Sequence, residues 1–319
     1  MNKLYVLCGM PGSGKSTWAK TYKEELNAVI HSSDDIRAEL LGNESDQSKN
    51  EEVFKILHSR VKEDLMAGKN VIYDATNLTF KTRRRILDTF KNITCEKICI
   101  LFATPFELCC ARNYARDRQV PEYAMTRMYK NFQTPTIYEG FDDVQIVWAD
   151  YDNMLGFEYD YCSDIEHWKH ISHDNPNHKF SIGEHMIAAS NYYSSKFCEI
   201  SEDYNSGDKR LSMAIFMHDC GKPDTKAFID SHGKDCEIAH FYQHHCVGSY
   251  LALFYLRKMY YLHWNDEDIL HVSLLINLHM RPFLAYKHSS KAEIKDRRLF
   301  GDKIINDVLI LHECDKAAH

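Results

Sequence analysis

Apolar and polar positions change rhythm along the chain. Up to about residue 150, short apolar runs alternate with longer stretches in which apolar side chains recur every three or four positions. The runs at 4–8, 28–32, 70–74, 97–103 and 144–149 predict strands. The stretches at 15–26, 51–67, 81–91, 106–116 and 122–131 predict amphipathic helices. Strand–helix alternation needs helical crossovers between parallel strands, so an α/β domain with a doubly wound sheet is expected over 1–150. The rhythm then lapses. Residues 151–171 are polar and turn-rich and are expected to be a linker, and DNPN at 174–177 is a turn signal. Beyond it only helical spacing returns, at 182–197, 209–218, 244–260, 267–278 and 304–318, with no alternating strand. Residues 172–319 therefore predict an all-α helical bundle.

Composition adds a division of chemistry to this division of pattern. A chain of 319 residues suits two domains, and 44% hydrophobic with 27% charged residues predicts packed cores. No apolar run is long enough to span a bilayer, and the opening MNKLYVLCGMPGSGK ends in a glycine loop instead of a cleavage site. Eleven scattered cysteines without a Cys-x-x-Cys pair predict reduced, mostly buried thiols in a cytoplasmic protein. Of 18 histidines only His31 and His58 precede residue 151, and residues 1–150 are neutral. The second half carries the whole net charge of −7. It is rich in imidazole and carboxylate, the donor set of transition metals.

The loop Gly9-Met10-Pro11-Gly12-Ser13-Gly14-Lys15-Ser16 fits G-x-x-x-x-G-K-[ST] between an apolar strand and a helix. Its glycines let backbone N–H groups close on a phosphate chain at a helix N-terminus. Gly12, Ser13, Gly14, Lys15, Ser16 and Thr17 are thus the expected ATP-binding residues, with Ser16 on Mg²⁺. Asp34 and Arg37 follow the second strand; Asp34 has the position of a general base, Arg37 that of a phosphate-neutralising cation. Arg112 and Arg116, four apart, are expected on one helix face as a cationic lid. Lys81, Arg83, Arg84 and Arg85 form a basic cluster, either a grip on a nucleic-acid backbone or a solvated helix face.

The segments GMPGSGKSTWA, SSDDIR, DATN, R-N-x-x-R and VPEYAMTRMYKNFQTP resemble, in order and spacing, the kinase domain of phage-type polynucleotide 5′-kinase/3′-phosphatases over about residues 1–150. The resemblance implies transfer of the ATP γ-phosphate to a 5′-hydroxyl of RNA or DNA. It implies Asp34 as general base, Arg37 on the acceptor phosphate, and Lys15, Ser16, Arg112 and Arg116 on the ATP phosphates. Thr76 and Asn77 match its acceptor-binding segment. Where those kinases read Asp-Thr-Asn, this chain has Ala75 before Thr76 and Asp74 one step earlier, so Asp74 is given no role.

The second half lacks the Asp-x-Asp-Gly-Thr phosphatase signature. Its FMHDCGKP segment, with GEH before it and AHFYQHH, LLINLHMRP and LHECDKAA after it, resembles the HD phosphohydrolase superfamily over about residues 172–319. The chemistry stands beside the name: two metals sharing a bridging aspartate activate water and clamp a phosphate. Expected ligands are His185, His218, Asp219 and Asp315 at a main site, with His244 and His279 at a second or on phosphate. The metals expected are Mn²⁺, Ni²⁺, Co²⁺, Fe²⁺ or Zn²⁺. Gln243 stands where glycine is common, which leaves His244 and His245 as alternatives. Lys222 is expected on substrate phosphate.

Together these readings describe a bifunctional nucleic-acid end-healing enzyme. It phosphorylates 5′-OH ends and removes 2′,3′-cyclic phosphate or 3′-phosphate, as in RNA repair. Expected partners are RNA or DNA ends, single-stranded or nicked, with coupling to a polynucleotide ligase and no membrane; a homo-oligomer is left open. Two alternatives remain: a metabolite or nucleoside kinase fused to a nucleotide phosphohydrolase, or an HD half that only binds a regulatory nucleotide.

Overall fold

The computed structural model describes residues 1–149, 159–176, 178–198, 208–259 and 263–319. By contact density the chain divides into two units. One is Met1–Tyr129 with Pro135–Phe157; the other is Lys130–Thr134 with Glu158–His319.

The first unit is built on five parallel strands: β1 (Lys3–Cys8), β2 (Ala28–Ser32), β3 (Asn70–Asp74), β4 (Glu96–Ala103) and β5 (Asp143–Trp148), in the order β2-β3-β1-β4-β5. The central strands are near-continuous apolar runs because helices cover both faces of such a sheet. Leu4, Val6, Leu7, Val71, Ile72, Ile100 and Phe102 are buried, each contributing about 1.5–3 kcal/mol of hydrophobic stabilisation. Among the described residues its α-helices are α1 (Lys15–Tyr22), α2 (Ser33–Leu41), α3 (Asn50–Met66), α4 (Phe80–Thr89), α5 (Phe106–Tyr114) and α6 (Glu122–Tyr129). The pattern missed α2. Its signal is local: the Ser32 hydroxyl accepts from the N–H groups of Asp34 and Asp35, two acids lie in the first turn, and Gly42 at φ 69° closes it.

The second unit comprises α7 (Tyr161–Trp168), α8 (Ile182–Phe197), α9 (Lys209–Met217), the single turn α10 (Lys222–Thr225), α11 (His244–Lys258), α12 (Asp266–Leu278) and α13 (Ser290–Ala317). Between α10 and α11 lies an antiparallel hairpin, β6 (Ala227–Ile229) with β7 (Asp235–His240). The unit is therefore not all-α. The hairpin is short, polar and partly exposed, and its alternation is too weak to read. α13 has a break at Gly301, whose φ of 83° interrupts the helix.

Two expected boundaries are corrected. The stretch 151–171 holds α7, with Tyr161, Ile165 and Trp168 buried in the second unit; residues 151–158 lie outside the described residues. Residues 130–134, expected in the first domain, belong to the second unit. There the Phe132 ring is buried edge-on to Tyr250 at 4.8 Å, its carbonyl accepts from Asn277 Nδ2, and Thr134 Oγ1 meets Ser273 Oγ at 2.6 Å. All eleven cysteines are free, and no described helix is long and apolar enough to cross a membrane.

Candidate functional sites

In the first unit the phosphate-type loop joins β1 to α1. Gly12 has φ 84°, and a Cβ there would meet the Cys109 carbonyl oxygen at 2.4 Å, so only glycine lets the loop lie against α5. Gly14, at φ 97°, has open space where a Cβ would stand. Ser13 is buried and Thr17 is exposed. The Lys15 ammonium donates to the carbonyls of Gly9 at 2.9 Å and Met10 at 2.8 Å. Burial pulls its pKa down, against the attraction of Asp74. Ser16 Oγ donates to Asp74 Oδ2 at 2.7 Å. Asp74 is buried at the C-terminal end of β3; desolvation pushes its pKa up while Ser16 and Lys15 hold it down. A hydroxyl and a carboxylate so paired next to the loop form the oxygen set that takes Mg²⁺ in P-loop enzymes. The sequence left Asp74 without a role; the structure places it at the strand end opposite Ser16.

Asp34 sits in the first turn of α2. Its Oδ1 accepts from Arg37 Nη1 at 2.6 Å and its Oδ2 from Arg118 Nη1 at 3.1 Å. Arg118 also pairs with Glu44 at 3.4 Å. Arg37 is buried and further held by Asn50 Oδ1 at 3.1 Å. Arg118 was not singled out from the sequence. It lies in an irregular segment where no periodicity could mark it.

Other expected residues fall differently. α5 ends at Tyr114, so Arg116 lies beyond it and does not share a helix face with Arg112. Arg112 reaches the Gly12 carbonyl at 3.5 Å; Arg116 is exposed. Asn77 is buried at φ 48° and its amide donates to the Leu7 carbonyl at 2.8 Å. It ties the strand ends together and presents no open face to an acceptor, so its expected substrate contact is corrected. Thr76 is half-buried, and its carbonyl accepts from Gly9 N–H at 3.0 Å. Arg83 leaves the basic cluster: it is fully buried and pairs with Glu139 at 2.8 Å. Burial opposes its charge, but Glu139 prevails and keeps it well above the ordinary range. Lys81 and Arg85 are exposed and Arg84 is half-buried.

The second unit gathers four histidines and Asp315 from five helical segments. A capping box of Ser181 and Glu184 starts α8 one residue before His185. Gly183, whose Cβ would meet Lys169 N at 2.6 Å, lets α8 lie close to the end of α7. His218 and His279 cap the C-termini of α9 and α12. His244 opens α11 after Gln243, which turns the chain at φ 66°. Asp315 comes from the last turn of α13.

Each ring is oriented by its far nitrogen. Nδ1 of His185 faces the Ala318 carbonyl at 3.2 Å, that of His218 the Ile215 carbonyl at 2.8 Å, that of His244 the Phe241 carbonyl at 2.8 Å and that of His279 the Ile276 carbonyl at 2.7 Å. A carbonyl only accepts, so Nδ1 carries the hydrogen and Nε2 of each neutral ring keeps its lone pair. These Nε2 atoms converge on Asp219. Its Oδ2 lies 3.3 Å from both His185 and His218, and Asp315 Oδ1 is 3.0 Å from His185. Its Oδ1 lies 3.2 Å from His244 and 3.8 Å from His279. The second histidine of the pair at 244–245 is not the one that faces Asp219. Lys222 Nζ pairs with Asp219 Oδ2 at 2.6 Å and donates to His173 Nε2 at 3.1 Å.

The electrostatics demand positive charge. Burial works against a charged His218, but the carboxylates of Asp219 and Asp315 outweigh it and lift the ring to about 10. Burial and the neighbouring imidazoles of His244 and His218 instead hold His279 well below its ordinary value. Both aspartates stay far below the usual carboxylate range: burial opposes this, and Lys222 for Asp219 and the histidine hydrogen bonds for Asp315 overcome it. Imidazole and carboxylate donors with fixed tautomers and carbonyl-backed rings fit one transition-metal ion among His185, His218, Asp219 and Asp315. They fit a second among Asp219, His244 and His279.

Residues 4–135 match the family AAA_33, an AAA domain. The chain is 28% identical over 167 residues to a bifunctional polynucleotide phosphatase/kinase of Schizosaccharomyces pombe, covering 50% of this chain and 37% of that protein. It is also 28% identical over 137 residues to an L-seryl-tRNA(Sec) kinase of Methanococcus maripaludis, covering 41% of this chain and 53% of that one. The chain thus spans about half or less of the length of these relatives. Among solved structures, a chain of a Pnkp1/Rnl/Hen1 RNA repair complex aligns at 28% identity and a TM-score of 0.37, over 40% of this chain and 42% of that one. The first unit is a P-loop kinase-like domain related to polynucleotide kinase and to seryl-tRNA kinase, and the relationship implies ATP with Mg²⁺.

Proposed function

We propose that the chain heals nucleic-acid ends, phosphorylating 5′-hydroxyls in the first unit and removing 2′,3′-cyclic phosphate and 3′-phosphate in the second. The observation that carries the reading is Asp219. One buried carboxylate turns its two oxygens to two histidine groups, in the same chain as a P-loop whose Ser16 is paired with Asp74.

In the first unit the loop N–H groups and Lys15 bind the ATP phosphates, Lys15 exchanging its carbonyl partners for phosphate oxygens. Ser16 and Asp74 would hold Mg²⁺, which neutralises charge on the β- and γ-phosphates when bound. Asp34 takes the proton of the 5′-hydroxyl as its oxygen attacks the γ-phosphorus and ADP leaves. Arg37, fixed by Asn50, sets the carboxylate's direction and reaches an acceptor phosphate; Arg112 and Arg116 approach the transferring group.

In the second unit His185, His218, Asp219 and Asp315 would hold one metal ion, and Asp219, His244 and His279 a second. Such ions supply Lewis acidity and a nucleophilic water when bound. Lys222, buried beside Asp219, offsets the charge of an incoming phosphate. His173 and Phe241 confine its ammonium to that place. One water attacks phosphorus and the 2′-oxygen leaves, taking up a proton to become a hydroxyl; a second water attacks the resulting 3′-phosphate, the 3′-oxygen leaves as a hydroxyl and inorganic phosphate is released. The products, a 5′-phosphate and a 3′-hydroxyl, are the pair a polynucleotide ligase joins.

The test is an end-labelled oligonucleotide with 5′-OH and 3′-phosphate, incubated with ATP and Mn²⁺ or Ni²⁺, as RNA and as DNA. Lys15→Ala abolishes only 5′ phosphorylation and Asp219→Ala only 3′ dephosphorylation. Loss of both activities in both variants, or neither activity in the unaltered chain, refutes the reading.

A further inference from the structure

Beside the histidine–aspartate centre the second unit opens a cavity of about 1150 Å³, with Asp219, Lys222 and His244 among its walls. Small-molecule sites measure about 300–1,000 Å³, so a phosphomonoester alone leaves most of this space unfilled. The remaining walls include aromatic and cationic side chains, among them Tyr242, Phe283 and Lys287. Tyr242 is 44% exposed and Phe283 51% exposed, and both line the cavity. Large rings left open in a concave surface mark a ligand face.

Their positions follow from the chain. Tyr242 stands two residues before His244. At roughly 3.3–3.6 Å per residue, its backbone lies within about 7 Å of that of a centre histidine. Phe283 stands four residues after His279, in a helical turn whose Leu284 N–H donates to the Met280 carbonyl at 2.8 Å. Both rings are therefore tethered to the His244/His279 side of the centre. His240 stacks flat on one face of Tyr242 at 5.1 Å and 5°, and the ring remains 44% exposed. Lys287 Nζ lies over one face of the Phe283 ring, 5.4 Å from its centroid, and lines the same cavity.

Two half-exposed aromatic rings, an ammonium beside them and an adjoining phosphate-type centre complement one kind of ligand: a flat aromatic group carried on an anionic backbone. We propose that this cavity is a stacking subsite for the unpaired bases of a single-stranded 3′ end, with Tyr242 and Phe283 as platforms and Lys287 on a backbone phosphate. A base paired in a duplex presents no free face to such rings. The inference rests on reading the second unit as a 3′-end hydrolase and names the form of its substrate.

The test titrates the full chain, without ATP, into a short oligonucleotide whose 3′-hydroxyl terminal base is 2-aminopurine, a fluorophore quenched by stacking. The unaltered chain quenches it. Tyr242→Ala/Phe283→Ala binds at least about tenfold more weakly and without quenching, Tyr242→Phe restores both, and 5′ phosphorylation is unchanged in every variant. Annealing a complement over the 3′ terminus weakens binding about tenfold. Unaltered quenching in the double variant, or equal binding of the paired end, overturns the subsite. Phosphate release with Mn²⁺ is read separately. Release without quenching removes the subsite and keeps the hydrolytic reading. Residue-dependent quenching without release from any end keeps the subsite and removes the hydrolytic reading.

Discussion

The Nε2 atoms of His185 and His218 face one another across 3.2 Å, while each ring's Nδ1 is engaged with a backbone carbonyl. Two neutral rings held this way set lone pair against lone pair beside two carboxylates. The arrangement is satisfied only by positive charge between them, a proton or a metal ion. The pair His244 and His279 repeats it at 3.1 Å on the other oxygen of Asp219.

The shared carboxylate separates two outcomes. Asp219→Asn is expected to lose both ions and Asp315→Asn only the one on the His185 side, each read as Mn²⁺ or Ni²⁺ stoichiometry by isothermal titration. Equal loss from both substitutions would mean that Asp219 does not bridge.

Asp74→Asn should lower 5′-kinase kcat at least about a hundredfold, the scale of losing one preorganised electrostatic contact to a transferring phosphoryl group. Melting temperature should not fall, because burial disfavours the Asp74 charge and asparagine keeps an acceptor for Ser16. A variant that folds and phosphorylates normally would remove Asp74 from the site.

Arg83 and Glu139 form a fully buried pair. Breaking one with Arg83→Ala strands the other charge and is expected to cost about 3–5 kcal/mol. In a unit of this size that lowers the melting temperature by about 10 °C. Arg83→Met with Glu139→Leu should recover most of it. A loss of polynucleotide affinity with unchanged stability would instead return Arg83 to a nucleic-acid grip.

Gly221 touches α11 so closely that a Cβ would meet the His244 carbonyl oxygen at 2.2 Å and Gly248 N at 2.5 Å. Gly221→Ala should therefore displace His244 from Asp219, abolishing 3′-end hydrolysis while leaving 5′ phosphorylation intact. Normal hydrolysis in that variant would show that the backbones move apart cheaply.

Strong local grammar was legible in the sequence. The five strands of the first unit lie within one residue of their expected bounds, because buried parallel strands read as apolar runs. The phosphate-type loop was legible for the same reason: its glycines are demanded by contacts such as that of Gly12 with Cys109. The chemical types of the six histidine and aspartate residues at the second centre were readable, as was their order. What brings His185, His244 and His279 within 4 Å of Asp219 is tertiary, and so is the choice of His244 over His245. Arg118 and Asp74 escaped because their meaning lies in partners 84 and 58 positions away. Arg83 misled for the opposite reason: in sequence it sits among exposed cations, and only Glu139 takes it inside.

The placement of Lys130–Thr134 has a consequence for heredity. The codons for one buried ring of the second unit, Phe132, are written inside the stretch that otherwise specifies the first. A fragment starting after residue 150 would lack that ring, a loss comparable to the roughly 3–5 kcal/mol of emptying a buried phenylalanine site. A single break after residue 157 hands on the first unit whole but leaves the second without Lys130–Thr134. The second unit travels whole only when part of the first travels with it.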